Sequence, residues 1–147
     1  MTKPFFTLAA ALIILPALIA AAPQDDTDAV YSRALMHKSD GNFDKAIEVF
    51  TTLIPAGREL DHLYYQIATC YSSKTDYAQA QSFARKAIEA NPSFTDPYQL
   101  IYDICITLKN YEAAADILED LTEANPGLIQ FQYTKGTLYY QNLQNYQ

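Results

Sequence analysis

The sequence predicts an all-α chain, a solenoid of helix-turn-helix hairpins, on three observations. Ala46, Ala80 and Ala114 recur at an interval of 34 residues, and Phe43, Tyr77 and Tyr111 keep the same interval. Turn and stop signals travel with them: "KSDGNF", "SKTDY" and "LKNY" precede the second helix of each hairpin, and "EANPSF" and "EANPGL" end it. The stops act because a residue before proline avoids the helical region. Laid out from Thr27, the chain divides without a gap into residues 27–60, 61–94 and 95–128, with a partial fourth repeat over 129–147.

The small residues have a steric purpose. Two antiparallel helices joined by a tight turn come close only where side chains are short, and larger apolar groups then fill the space on either side. In the first helices that place is held by Ala34, Ala68, Tyr102 and Gly136; in the second helices it is held by Ala46, Ala80 and Ala114, with Leu53, Ala87 and Leu121 one face further on. The 61–94 repeat shows the pattern most fully, Ile67 and Tyr71 flanking Ala68 and Ala84 following Ala80. The 27–60 repeat departs from it: Arg33 and His37 stand at usually apolar places, and Pro55 arrives early. In 95–128 the bulky Tyr102 at a small position predicts altered hairpin packing.

The first residues differ from the rest. "MTKPFFTLAAALIILPALIAAAPQ" places one cation, Lys3, before a long apolar stretch, and no acid precedes Asp25. That is the layout of a secretory signal peptide over residues 1–22, with Pro16 breaking the apolar helix and cleavage expected after Ala20 to Ala22. The rival is an uncleaved membrane anchor over residues 4–22. Residues 23–26 are expected to form a short linker, in which Asp25 and Asp26, with Asp28 just beyond, precede the first helix. The chain of 147 residues is 50% hydrophobic, enough for one core, and carries 10 basic against 17 acidic residues. Without Lys3 the charge becomes −8. Such a chain, with no Lys/Arg cluster, repels phosphate backbones and is not suited to nucleic acid or an anionic lipid surface.

The combination of Ala68, Tyr71, Tyr77, Ala80, Ala87 and Pro92 in one repeat, echoed in its neighbours, resembles the tetratricopeptide repeat family from Thr27 to the C-terminus. The resemblance implies a right-handed superhelix whose first helices line a concave groove. It also implies which residues look into that groove. They are Asp28, Tyr31, Leu35, Lys38 and Ser39; then His62, Tyr65, Thr69, Ser72 and Ser73; then Asp96, Gln99, Asp103, Ile106 and Thr107; and finally Gln130, Tyr133, Thr137, Tyr140 and Gln141. One position reads Tyr31, Tyr65, Gln99, Tyr133, a ladder of amphipathic rings suited to a peptide or helix, unless the rings pack on neighbouring repeats instead. Family members that clamp acidic peptide tails use groove lysines, arginines and asparagines; one Lys and three Asp point instead to a neutral or basic polypeptide.

Other chemistry finds little support. Cys70 and Cys105 lie on adjacent first helices; helices packed about 8–10 Å apart favour two buried thiols over a disulfide, which needs Cα atoms within about 7 Å. His37 and His62 lack ligand-spaced partners, so no metal is expected. No GxSxG, GxGxxG, P-loop, HExxH or paired CxxC occurs, so no catalytic residue and no cofactor is assigned. The expected function is a non-catalytic scaffold that binds a polypeptide, exported to the periplasm or secreted, in cell-envelope assembly or organisation. The alternative is a structural or regulatory segment of a larger secreted or membrane-associated protein, working by self-association or through a missing C-terminal part. The ending "GTLYYQNLQNYQ" bears on this choice, since Leu138, Tyr139, Tyr140 and Leu143 lack the polar cap that closes a solenoid. The last helix caps itself, meets another subunit, or belongs to a longer repeat protein, and truncation is the favoured expectation. Recognition of glycans by the tyrosines is a weaker reading.

Overall fold

The computed structural model describes residues 24–57 and 59–128. Six α-helices follow one another: α1 (Gln24–Ser39), α2 (Phe43–Leu53), α3 (Leu60–Ser73), α4 (Tyr77–Ala90), α5 (Asp96–Thr107) and α6 (Tyr111–Ala124). Among the described residues there is no strand. Consecutive helices pair as the hairpins α1–α2, α3–α4 and α5–α6; α2 packs on α3, α4 on α5, and α3 also reaches α5. Residues 1–22, expected as a leader, and residues 129–147, expected as a partial repeat, lie outside the described residues.

One correction concerns the start. Helix α1 begins at Gln24, so residues 24–26, expected as linker, belong to its first turn. Acidic side chains there complement the positive end of the helix dipole, which favours helix over linker.

The three hairpin turns are built alike. Each first helix closes with a residue of left-handed backbone, Gly41 (φ 74°), Thr75 (φ 60°) and Lys109 (φ 56°), again 34 apart. The next N–H reaches back five residues, from Asn42 to the His37 carbonyl (2.8 Å), Asp76 to Tyr71 (3.0 Å) and Asn110 to Cys105 (2.8 Å). Together with the bonds from Gly41 to Lys38, Thr75 to Ser72 and Lys109 to Ile106, these are Schellman closures, which satisfy carbonyls the helix end would leave open. The same residue then opens the second helix. Asp76 accepts from the Gln79 N–H and Asn110 from the Ala113 N–H, both at 3.2 Å.

Such turns let short residues meet. Ala34, Ala46, Ala68, Ala80, Ala84, Ala87 and Ala114 are fully buried. Around them form two apolar clusters, one of Phe50, Leu53, Leu63, Ile67 and Cys70 under α1 and α2, the other of Tyr98, Ile101, Cys105, Ile117 and Leu121 under α5 and α6. Phe83 of α4 packs against both, and it stacks on Tyr71 with centroids 5.5 Å apart. Tyr102 stays half-buried at the margin of the second cluster. Helices α5 and α6 touch less extensively than α3 and α4. Pro55 shortens α2, which ends at Leu53 and passes into a 3-10 turn over Ile54–Ala56.

The stop loops tie repeats together. The Asn91 amide donates to the Asp61 carboxylate at 2.8 Å, joining the end of α4 to the start of α3. The Pro92 carbonyl accepts from the Tyr98 hydroxyl (3.1 Å) and from the Asn125 amide (3.3 Å), one repeat further on.

Thr75 is the strained member of the turn set, being β-branched at a left-handed position, where an L residue gives up about 1–2 kcal/mol. Glycine relieves that strain but adds freedom to the unfolded chain. Thr75→Gly should therefore stabilise the fold by about 0.5–1 kcal/mol, read as a raised denaturant midpoint. A lowered midpoint would show that the threonine is not strained there.

Candidate functional site

The first helices α1, α3 and α5 meet along one wall, and side chains from separate hairpins bond across it. Lys38 of α1 extends over α3, its Nζ donating to Gln66 Oε1 (2.6 Å) and Thr69 Oγ1 (2.7 Å). Burial pushes the Lys38 pKa down, while the nearby Cys70 thiol opposes that shift. The Thr69 hydroxyl donates in turn to the Gln66 carbonyl at 2.8 Å. Gln66 was not among the residues expected from sequence; it follows Tyr65 directly, and only the neighbouring helix shows that its amide faces Lys38.

Further along, Tyr65 of α3 stands edge-on to Phe94 at 5.3 Å, and His62 lies against the same ring at 4.7 Å. Phe94 belongs to the loop that leads into α5. On α5, the Gln99 amide donates to the Asp103 carboxylate at 2.8 Å, and Asp103 also receives Thr107, whose hydroxyl bonds its carbonyl at 2.8 Å. Burial raises the Tyr65 pKa first, and the carboxylates of Asp96 and Asp103 raise it further. Two residues of α5 thus act on a side chain of α3.

Tyr31 shows the other face of the ladder. Its ring meets fully buried Phe50 edge-on at 5.5 Å, so it is half core and half wall. Burial pushes its hydroxyl pKa up, Glu59 adds to the rise, and the Gln66 side chain opposes it. Beneath it a small cavity of about 70 Å³ is lined by Thr27, Asp28, Tyr31, Leu53, Glu59 and Leu63. Glu59 reaches this cavity from a left-handed backbone position (φ 46°) just before α3.

The remaining expected groove residues are less engaged. Leu35 is 38% exposed, and beside it Met36 is 55% exposed. Ser72 is half-buried and its carbonyl accepts the Thr75 N–H of the turn. Ser39, Ser73 and Thr107 are exposed, Ile106 is half-buried, and Gln99 interrupts the rings with an amide. Tyr133, Thr137 and Tyr140, with Gln130 and Gln141, lie outside the described residues.

Cys70 and Cys105 are buried free thiols, and burial raises both pKa values, against Lys38 in the first case and Arg85 in the second. Among the described residues no group of His, Cys, Asp and Glu side chains gathers in a way that could hold a metal ion. Nor is any described helix long and apolar enough to cross a membrane.

Stacked helical hairpins with their leading helices on one wall define an α-solenoid. In comparison with known proteins, residues 71–136 match the tetratricopeptide repeat family. Protein SGT1 homolog of Oryza sativa subsp. japonica is 34% identical over 80 residues, which is 54% of this chain and 22% of that protein. The chain thus spans about a fifth of the length of the curated relative it matches. Among solved structures, the first repeat domain of Spaghetti (RPAP3) bound to the HSP90 peptide SRMEEVD superposes with a TM-score of 0.64 at 19% identity, covering 81% of this chain and 97% of that one. The Yersinia enterocolitica type III secretion chaperone SycD, in complex with a peptide of the translocator YopD, superposes with a TM-score of 0.67 at 13% identity, covering 84% and 96%.

The raised Tyr65 pKa gives a sign for alkaline stability. A phenol whose folded pKa lies above the ordinary value of 10.0 is held in its neutral form by the folded state, so its ionisation works against folding. Above pH 10 the unfolded tyrosine releases its proton before the folded one, the folded state binds more protons, and stability falls as pH rises. Tyr65→Phe should flatten part of the stability loss between pH 9 and about pH 11 in denaturant titrations, and Asp96→Asn with Asp103→Asn should lower the Tyr65 pKa by absorbance titration. A Tyr65→Phe profile parallel to the wild type would mean that this phenol is not desolvated.

Proposed function

We propose that this chain is a non-catalytic protein-interaction module that holds a polypeptide along the wall of α1, α3 and α5. One observation carries the reading: polar and aromatic side chains of two hairpins, and of the loop that leads into the third, converge on that wall, through Lys38 with Gln66 and Thr69, and through Tyr65 with Phe94. A surface shared by three repeats has the length an extended ligand needs. Two solved structures of the same fold carry peptides, which supports the reading without naming this chain's partner. Half-buried tyrosines suit it as well, since a ring braced on the core offers contact area at little entropic loss.

The partner expected here differs from an acidic tail such as SRMEEVD. The wall carries Asp28, Asp96 and Asp103, and its lysine, Lys38, is already spent on Gln66 and Thr69. A neutral or basic polypeptide fits better. The apolar leader over residues 1–22 supports an exported protein, periplasmic or secreted, and from that setting follows the proposed role in organising or assembling the cell envelope.

Two measurements test these statements. A photo-crosslinking residue at Leu35 or Thr107 should capture a partner in cells, whereas one at exposed Glu48 of α2 or Glu89 of α4 should not. Equal capture from α2 and α4 would move the binding surface off the wall. For export, the intact mass of the cellular protein should match a chain that starts after one of Ala20, Ala21 or Ala22. A full-length mass in the cytoplasmic fraction would overturn the exported setting.

A further inference from the structure

The two wall tyrosines that the structure describes share a local chemistry. At Tyr31 the cavity has an apolar floor, Leu53 at 7% and Leu63 at 4% exposure, a ring for a wall, and the exposed carboxylates of Asp28 and Glu59 at its rim. Its volume of about 70 Å³ equals the liquid share of about two waters, room for the end of one side chain and not for a whole residue. At Tyr65 the ring is braced on Phe94; Asp96 and Asp103 of α5 are exposed carboxylates whose charge is felt at its hydroxyl, and Asp103 is oriented by Gln99 at 2.8 Å. An apolar stem with a charge at its tip is the shape that such a site accepts, since lysine and arginine bury their methylenes and keep the cation at the surface. A tyrosine face adds attraction for that cation.

We propose that Tyr31 with Asp28 and Glu59, and Tyr65 with Asp96 and Asp103, are two receptor sites for lysine or arginine side chains of one extended peptide. The inference rests on the peptide-binding reading above and names the ligand's chemistry. The sites sit on α1 and α3, neighbouring helices bridged directly by the Lys38 bonds to Gln66 and Thr69. The chain's net charge of −7 adds long-range attraction for such a ligand, which weakens with salt.

The test is a random dodecapeptide library displayed on phage and selected on the full chain at 50 mM and 500 mM NaCl. Enriched peptides should carry two Lys or Arg residues and should be lost at the higher salt. A fluorescein-labelled copy of the most enriched sequence should bind about fivefold more weakly to Asp28→Asn/Glu59→Gln, and likewise to Asp96→Asn/Asp103→Asn, with unchanged melting temperatures. Enrichment of acidic or uncharged peptides, or wild-type affinity in both double variants, would overturn the cation sites and leave the peptide-binding wall standing. If no peptide is enriched at either salt, the wall reading itself fails and the cation sites with it.

Discussion

Close approach of helices at short side chains is the constraint from which the rest of this structure follows. Ala34 and Ala46 in the first hairpin, and Ala68 and Ala80 in the second, are fully buried, so no atom beyond Cβ separates the paired backbones there. A methyl-sized gap is cheap to fill and intolerant of anything larger, because interiors are packed to crystal-like density. That contact sets the angle of each hairpin. The angle repeats because the turn repeats, with a left-handed residue at Gly41, Thr75 and Lys109 and the same pair of back-reaching bonds at each. One residue, Asn42, Asp76 or Asn110, both ends a helix and starts the next, which leaves no slack in the connection. Hairpins of fixed shape, stacked in order, must bring their leading helices to a common wall.

What lay open in the sequence is what obeys the 34-residue period. The alanines, the turn residues and the proline stops each act through local sterics, so their positions declare helices, turns and burial before any coordinates are known. Tyr102 is a further case: its bulk at a small position is visible in the sequence, and its ring stays half-buried against the second cluster. The linker was misjudged because Asp25, Asp26 and Asp28 read equally as a solvated lead-in and as the first turn of a helix whose dipole favours them. Nothing local separates those two states.

The wall was legible only in part, for a different reason. The period tells which residues share a face, but not how a long side chain crosses from one repeat to the next. Lys38 illustrates this. It was expected as an open groove cation, whereas it spans to Gln66 and Thr69 and is half withdrawn from water. Gln66 became visible only as the acceptor of that bond. Tyr31 and Tyr65 likewise have two faces, since each ring is braced on a phenylalanine of another element, Phe50 or Phe94, and neither pairing has a signature in the spacing.

This division of the tyrosines has a consequence for recognition. A ring that is free in solution loses rotamer freedom when a ligand orders it, and that loss is subtracted from the affinity. Tyr31 and Tyr65 have already lost theirs to the core contacts, so a ligand meets a surface whose aromatic parts are set before it arrives. The polar parts are less settled: Asp28, Glu59, Asp96 and Asp103 are exposed, and the single held carboxylate among them, Asp103, is oriented by an amide on its own helix. Braced rings with exposed carboxylates favour ligands that present an apolar stem in a fixed place and a charge that tolerates some displacement. Long basic side chains meet both conditions, because the stem packs at short range while the charge interacts at long range. An acidic tail meets neither, since its short side chains would place charge against charge at the rims.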